Sequence, residues 1–190
     1  MNEFNEVLYD WVIPKLFAEL YDFTDTTETY EPYEIDLVKM PKGGFYSISA
    51  SSDKIVRNTD LLAQKQASKS FHLDTYCFDS NPEQSLFWSL LNDGRVKKLY
   101  FTGMLTHGQS DFYIQYIDPD SHTVRSYYPD FLIQKDDSTY VIVEVKGDHE
   151  IDSPVVQAKK TYAEAIAGAS KMTYQMIPSS QVKAYSSIFA

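Results

Sequence analysis

Two acidic side chains and one lysine carry the chemistry of this sequence: Asp130, preceded by Pro129, and Glu144, followed at the second position by Lys146. Two runs of β-branched and aromatic residues, Tyr127 to Gln134 and Thr139 to Lys146, flank the polar turn Lys135-Asp136-Asp137-Ser138, which is a hairpin signature. Successive strand side chains point to opposite faces. Glu144 and Lys146 therefore share a face, and a turn centred near Asp137 places Asp130 directly across from Glu144. Phe131 and Ile133 then oppose Val143 and Val141 on the other, apolar face. Opposed like charges destabilise a sheet and raise each other's pKa. A hard divalent cation such as Mg²⁺ offsets that cost by taking carboxylate oxygens while keeping several waters, and Lys146 adds positive charge beside those waters. The plainer alternative is a solvated hairpin end at which Asp, Glu and Lys pair on the surface.

Pro129-Asp130 and Glu144-Val145-Lys146 also resemble the two halves of the motif that names the PD-(D/E)xK nuclease superfamily. Tyr-Pro-Asp-Phe, a short hairpin, then Val-Ile-Val-Glu-Val-Lys-Gly-Asp looks most like the nuclease domain at the C-terminus of the restriction subunit of type III restriction enzymes; the likeness spans about Ser80 to Pro178. The resemblance implies a restriction-endonuclease-like α/β fold and a Mg²⁺-dependent deoxyribonuclease, with Mn²⁺ as a substitute ion. It implies that Asp130 and Glu144 are metal ligands, that Val145 contributes its backbone carbonyl, and that Lys146 positions or activates the attacking water. It matches Glu83 to a glutamate on the first helix that often sits beside the metal, and places Gln157, Lys159 or Lys160 where a polar residue faces the site. The spacing from Gln157 to Tyr162 departs by one residue from the Gln-x-x-x-Tyr pattern of the RecB-like branch.

The elements that must position these residues are legible to different degrees. Ser80, Pro82 and Glu83 form a capping box ahead of Leu86, Phe87, Leu90 and Leu91, and Asn92-Asp93-Gly94 ends that helix. Glu83 thus has a capping role to set against a catalytic one. Val96 to Thr102 and Asp111 to Ile117 read as strands, Pro154 to Ala169 as a helix capped by Asp152 or Ser153, and Met172 to Ile177 as a returning strand. The resulting expectation is a central mixed sheet containing the 111 to 146 antiparallel strands, with the two helices on opposite faces. Upstream, the apolar spacing of Phe4, Leu8, Trp11, Val12, Leu16 and Leu20 predicts a helix over 3–21; Thr24 to Tyr33 reads as extended, Ile35 to Val38, Phe45 to Ile48 and Phe71 to Phe78 as short strands, and 49–70 as polar. His72 and Cys77 lack the ligand pattern of structural zinc.

Composition bounds the function classes. The chain has 190 residues, 43% of them hydrophobic and 15% aromatic, which suits a packed domain over 71–190 with a possible docking region over 1–70. A single Cys77 and the absence of a long apolar run or a basic leader suggest a reducing cytoplasm. The net charge of −10 opposes unaided binding to a phosphate backbone. DNA as the partner therefore implies help from elsewhere, such as the helicase/ATPase region of a longer parent chain or a methylation subunit, since no Gly-x-x-x-x-Gly-Lys-Ser/Thr loop is present. The competing class is a catalytically inactive nuclease-like module that binds nucleic acid or protein.

Overall fold

The computed structural model describes Lys15, residues 34–64 and residues 66–190. The expected helix over 3–21, Lys15 aside, and the extended run over 24–33 lie outside the described residues. In chain order the elements are β1 (Ile55–Arg57), α1 (Leu61–Gln64), β2 (Thr75–Cys77), α2 (Asn81–Leu91), β3 (Val96–Phe101), β4 (Ile114–Ile117), β5 (Val124–Tyr127), β6 (Phe131–Lys135), β7 (Tyr140–Lys146), α3 (Pro154–Ala169) and β8 (Met172–Pro178). The compact unit that contains all of these runs from Tyr33 to Ala190.

The fold is α/β, built on a mixed four-stranded sheet of order β3-β6-β7-β8. β6 and β7 form the hairpin expected from the alternating valines, with Phe131 opposite Val143 and Ile133 opposite Val141. β8 returns through α3 to pair in parallel with β7, placing Tyr174 beside Ile142 and Met176 beside Glu144. β7 is therefore paired on both sides, and both of its faces are covered. Phe131, Ile133, Val141, Val143 and Val145 join Leu86, Phe87, Leu90 and Leu91 of α2 in one core. Leu132, Ile142 and Tyr174 join Ala163 and Ala167 of α3 in the other. Fully buried Phe87, Phe101 and Phe131 anchor the first core, each contributing roughly 2–3 kcal/mol by area removed from water. Helices cover both faces of the sheet, as expected. The near-continuous apolar run from Val141 to Val143 is the mark of a strand buried on both sides.

Three differences from the sequence reading have physical causes. First, the expected strand from Tyr127 to Gln134 is broken: Tyr127 ends β5, and pairing with β7 begins only at Phe131. Pro129 has no N–H to donate and restricts the residue before it, so the ladder cannot run through. Second, β4 does not join the central sheet. It pairs with β5 in a separate two-stranded ribbon, Ile114 opposite Tyr127 and Ile117 opposite Val124, and packs its inner face on α3. Third, residues 35–38 and 45–48 form no strand; the backbone there makes isolated bonds instead, Lys39 N–H to the Gln109 carbonyl at 2.8 Å and Asp111 N–H to the Asp36 carbonyl at 2.9 Å.

Upstream of residue 71, β1 and α1 each place a side chain in the main core. β1 pairs with β2, and Val56 and Ala63 lie in the same core as α2. The strand expected over 71–78 is shortened to β2, and Phe71 ahead of it takes a left-handed conformation, with φ of 65°. Among the described residues no helix is long and apolar enough to cross a membrane.

The start of α2 matches the sequence signature closely. Ser80 Oγ accepts from the Glu83 N–H at 3.3 Å, and the Glu83 carboxylate reaches back to the Ser80 N–H at 3.4 Å. Ser80→Ala removes the cap and is expected to cost about 1 kcal/mol, against about 2–5 kcal/mol for the cavity left by Leu90→Ala. Urea denaturation of the two variants checks that order.

Candidate active site

The approach to the site is built by a clamp on Pro129-Asp130. Thr102 Oγ1 donates to the Pro129 carbonyl at 2.6 Å, and the N–H groups of Thr102 and Gly103 donate to the Asp130 carbonyl at 2.8 and 3.1 Å. Position 103 has to be glycine for this approach, since a Cβ on Gly103 would stand 2.9 Å from Asp130 Oδ1 and 3.1 Å from Asp130 Cα. The side chain is then held from across the hairpin, where the Val145 N–H donates to Asp130 Oδ2 at 2.7 Å. The register that pairs Phe131 with Val143 continues to bring Asp130 opposite Glu144. Glu144 is only 5% exposed, and Lys146 Nζ lies 3.2 Å from its Oε1.

The electrostatics are those of two carboxylates that need a cation. Burial, then the Glu144 charge, then that of Glu83 push Asp130 well above the usual carboxylate range, although the Val145 N–H and Lys146 pull the other way. Burial also raises Glu144, against the opposing effects of Lys146 and Lys159. Burial alone would lower Lys146, but Glu144, Asp130 and Glu150 outweigh it and hold the ammonium above its ordinary value. Lys159 is lowered by burial and by the Lys146 charge. Its ammonium lies 5.5 Å from the ring centroids of both Tyr116 and Tyr127, within the range of cation–π attraction.

Asp130, Glu144 and Lys146 are thus brought together as the spacing predicts. Glu83 is near enough for its charge to act on Asp130, but its oxygens are engaged by the cap: Oε1 accepts from Ser80 Oγ at 2.6 Å and Oε2 from the Asp79 N–H at 3.1 Å. Among the described residues no three His, Cys, Asp or Glu side chains converge as a metal-holding group. Gln157 is exposed, and its Nε2 donates to the Ile151 carbonyl at 2.7 Å. Lys160 stands 3.9 Å from Glu164 on the outer side of α3. The helix phase explains Gln157. Val156, Ala163 and Ala167 are the buried positions of α3, and Lys159 and Lys160 flank their stripe on either side, while Gln157 is about a third of a turn off it. What sets Lys159 apart from Lys160 is its contact with Tyr116 and Tyr127.

The donor set fits a hard divalent ion. Two carboxylates raised by burial, Asp130 also by the charge of Glu144, are what such an ion neutralises, and Mg²⁺ needs only one or two carboxylates when waters and substrate phosphate complete its shell. A cavity of about 560 Å³ lies elsewhere, lined in part by Met40, Phe45, Arg57, His72 and Met104, and includes none of these groups.

A mixed sheet flanked by α2 and α3, with an acidic pair and a lysine on its central hairpin, defines a restriction-endonuclease-like domain. Residues 106–179 match the family model described as TnsA-like endonuclease N terminal. That stretch runs from before β4 to the end of β8, so it includes Asp130, Glu144, Lys146 and Lys159 and leaves out Glu83. The match supports the PD-(D/E)xK superfamily and a nuclease domain; the family it names is not the type III restriction subunit to which the motif phrasing is similar. No curated protein matches the chain.

Because Asp130 is raised, its ionisation costs stability above its folded pKa, and that cost vanishes below the unfolded value. Asp130→Asn keeps the shape and an acceptor for the Val145 N–H. It is expected to raise the metal-free Tm at pH 7 by at least about 2 °C, the shift that ~1 kcal/mol makes in a domain of this size. The advantage should shrink towards pH 4 as wild type protonates, which calorimetric melts across that range would detect.

Proposed function

We propose that this chain is a Mg²⁺-dependent endonuclease domain that hydrolyses phosphodiester bonds in DNA, with Mn²⁺ able to substitute. The observation that carries the reading is the buried, opposed pair Asp130 and Glu144 with Lys146 3.2 Å from the glutamate. Asp130, Glu144 and the Val145 carbonyl would hold the ion. When bound, it supplies Lewis-acid polarisation of the scissile phosphate and acidifies a water at neutral pH. The protein's own contribution is electrostatic. Lys146 orients the attacking water and stabilises the negative charge that develops on the phosphate, and its high pKa keeps it protonated for that role. Lys159, held against Tyr116 and Tyr127, adds a second positive charge on the same side of Glu144. Glu83 acts from the cap of α2 as a charge beside Asp130. Gln157 has no part in this scheme.

The net charge of −10 leaves capture of the DNA backbone to other parts. In the restriction-system reading those parts are a helicase/ATPase region of a longer chain and a methylation subunit, with residues 1–70 serving as the docking region. ATP then has no effect on this fragment by itself.

Cleavage of supercoiled and linear DNA at low salt with Mg²⁺ or Mn²⁺ tests the reading. Lys146→Ala and Asp130→Ala are each expected to lower the rate by roughly 10²–10³ or more, the scale set by loss of one preorganised electrostatic group, without unfolding the domain. Lys159→Ala should slow cleavage more than Gln157→Ala. Cleavage that survives both Lys146→Ala and Asp130→Ala would overturn this mechanism, whereas wild type that cleaves with neither ion favours the inactive, binding-only class.

A further inference from the structure

Glu144 is buried, yet only one of its oxygens has a hydrogen-bond partner. Lys146 serves Oε1, whereas Oε2 is enclosed and has none. Among the described residues, two other enclosed oxygens, the hydroxyls of Tyr127 and Tyr174, have no partner at normal hydrogen-bond length, although they are close enough to each other for Tyr127 to lean its O–H towards Tyr174. All three belong to one neighbourhood. Tyr174 pairs in register with Ile142 on β8, which puts it on the same face of the sheet as Glu144, and Tyr127 ends β5 just before Pro129-Asp130. Both tyrosines pack in the core between the sheet and α3, 6% and 7% exposed, and both feel the Glu144 charge.

A hydroxyl buried without a partner costs about 1–3 kcal/mol. Phenylalanine would fill either position without that cost. Two tyrosines side by side next to a carboxylate that lacks donors are therefore accounted for together rather than separately: each has one O–H to give, and Oε2 has lone pairs to receive. Three polar atoms so placed also meet the requirement of two to four partners for a single bridging water.

We propose that Tyr127 and Tyr174 are positioning residues whose hydroxyls hold Oε2 of Glu144 through one shared water, fixing the carboxylate in the orientation that receives the divalent ion. The inference rests on the reading of Asp130 and Glu144 as the metal ligands. Outer partners that orient a ligand typically change metal affinity by 10–100-fold when removed.

The test is calorimetric titration of wild type, Asp130→Asn, Tyr127→Phe, Tyr174→Phe and the double Phe variant with Mn²⁺ alone, alongside thermal melts without metal. Each single Phe variant is expected to raise the Kd for Mn²⁺ by about tenfold or more. The double variant should lose less than the product of the two single losses, because both hydroxyls serve one oxygen. The metal-free Tm of each single variant should stay near that of wild type, since the shared water and the remaining hydroxyl still serve Oε2. Loss of affinity with unchanged stability separates orientation of a ligand from core filling. Wild-type affinity in both single Phe variants would overturn the inference while leaving the metal site intact, provided Asp130→Asn has lost it. If wild type takes no Mn²⁺, or Asp130→Asn binds as well as wild type, the proposed function fails first and the inference with it.

Discussion

The structure depends on the enforced approach of Asp130 to Glu144. Left to themselves two carboxylates on opposed strands separate or protonate, and here neither is free to separate. The backbone of Asp130 is bonded to Thr102 and Gly103, its side chain to the Val145 N–H, and Glu144 is enclosed between the sheet and α3. Hydrophobic burial on both faces of β7 supplies the driving force that holds the charges together. The strained pair is a small part of a large favourable sum, which is how folded domains carry local electrostatic cost at functional sites.

Much of this is legible in the residues alone. The register of the hairpin comes from valines at alternate positions and a polar turn of defined length, because a one-residue slip would send every apolar side chain to the wrong face. The capping box at Ser80 and Glu83 is equally readable, since it depends on residues three apart in sequence. Harder features are those decided by distant partners. Nothing local to 111–117 shows that it pairs with 124–127 in its own ribbon instead of joining the central sheet. Glu83 suits a ligand and a cap at once by its type and position; the structure commits its oxygens to the cap. Residue type and spacing leave Gln157, Lys159 and Lys160 open as polar residues of α3, and the contact of Lys159 with Tyr116 and Tyr127 is visible only in the structure. Gly103 and Thr102 leave no sequence signal, because their role exists only where β3 meets the loop before β6.

The acidic balance of the chain takes on a local meaning in this light. Positive charge is scarce overall, yet Lys146 and Lys159 are both half-buried and both act on Glu144. Concentrating two ammonium groups there costs desolvation and mutual repulsion, which is visible in the lowered pKa of Lys159. The field of such a site is short in range, because charges of both signs alternate within it.

The parallel pairing of β7 with β8 has a consequence for the order in which the domain assembles. β6 and β7 are joined by a short turn and can pair early, whereas β8 reaches β7 only after a crossover that includes the whole of α3. Contacts between residues far apart in sequence pay loop-closure entropy before they return anything. The two carboxylates are therefore brought face to face by the fast local event, while the enclosure by α3, with Lys159, and the arrival of Tyr174 belong to the slow one. During folding the acidic pair passes through a stage in which it is juxtaposed but still solvated, and the repulsion is met by water and Lys146 until Lys159 and the second core close over it.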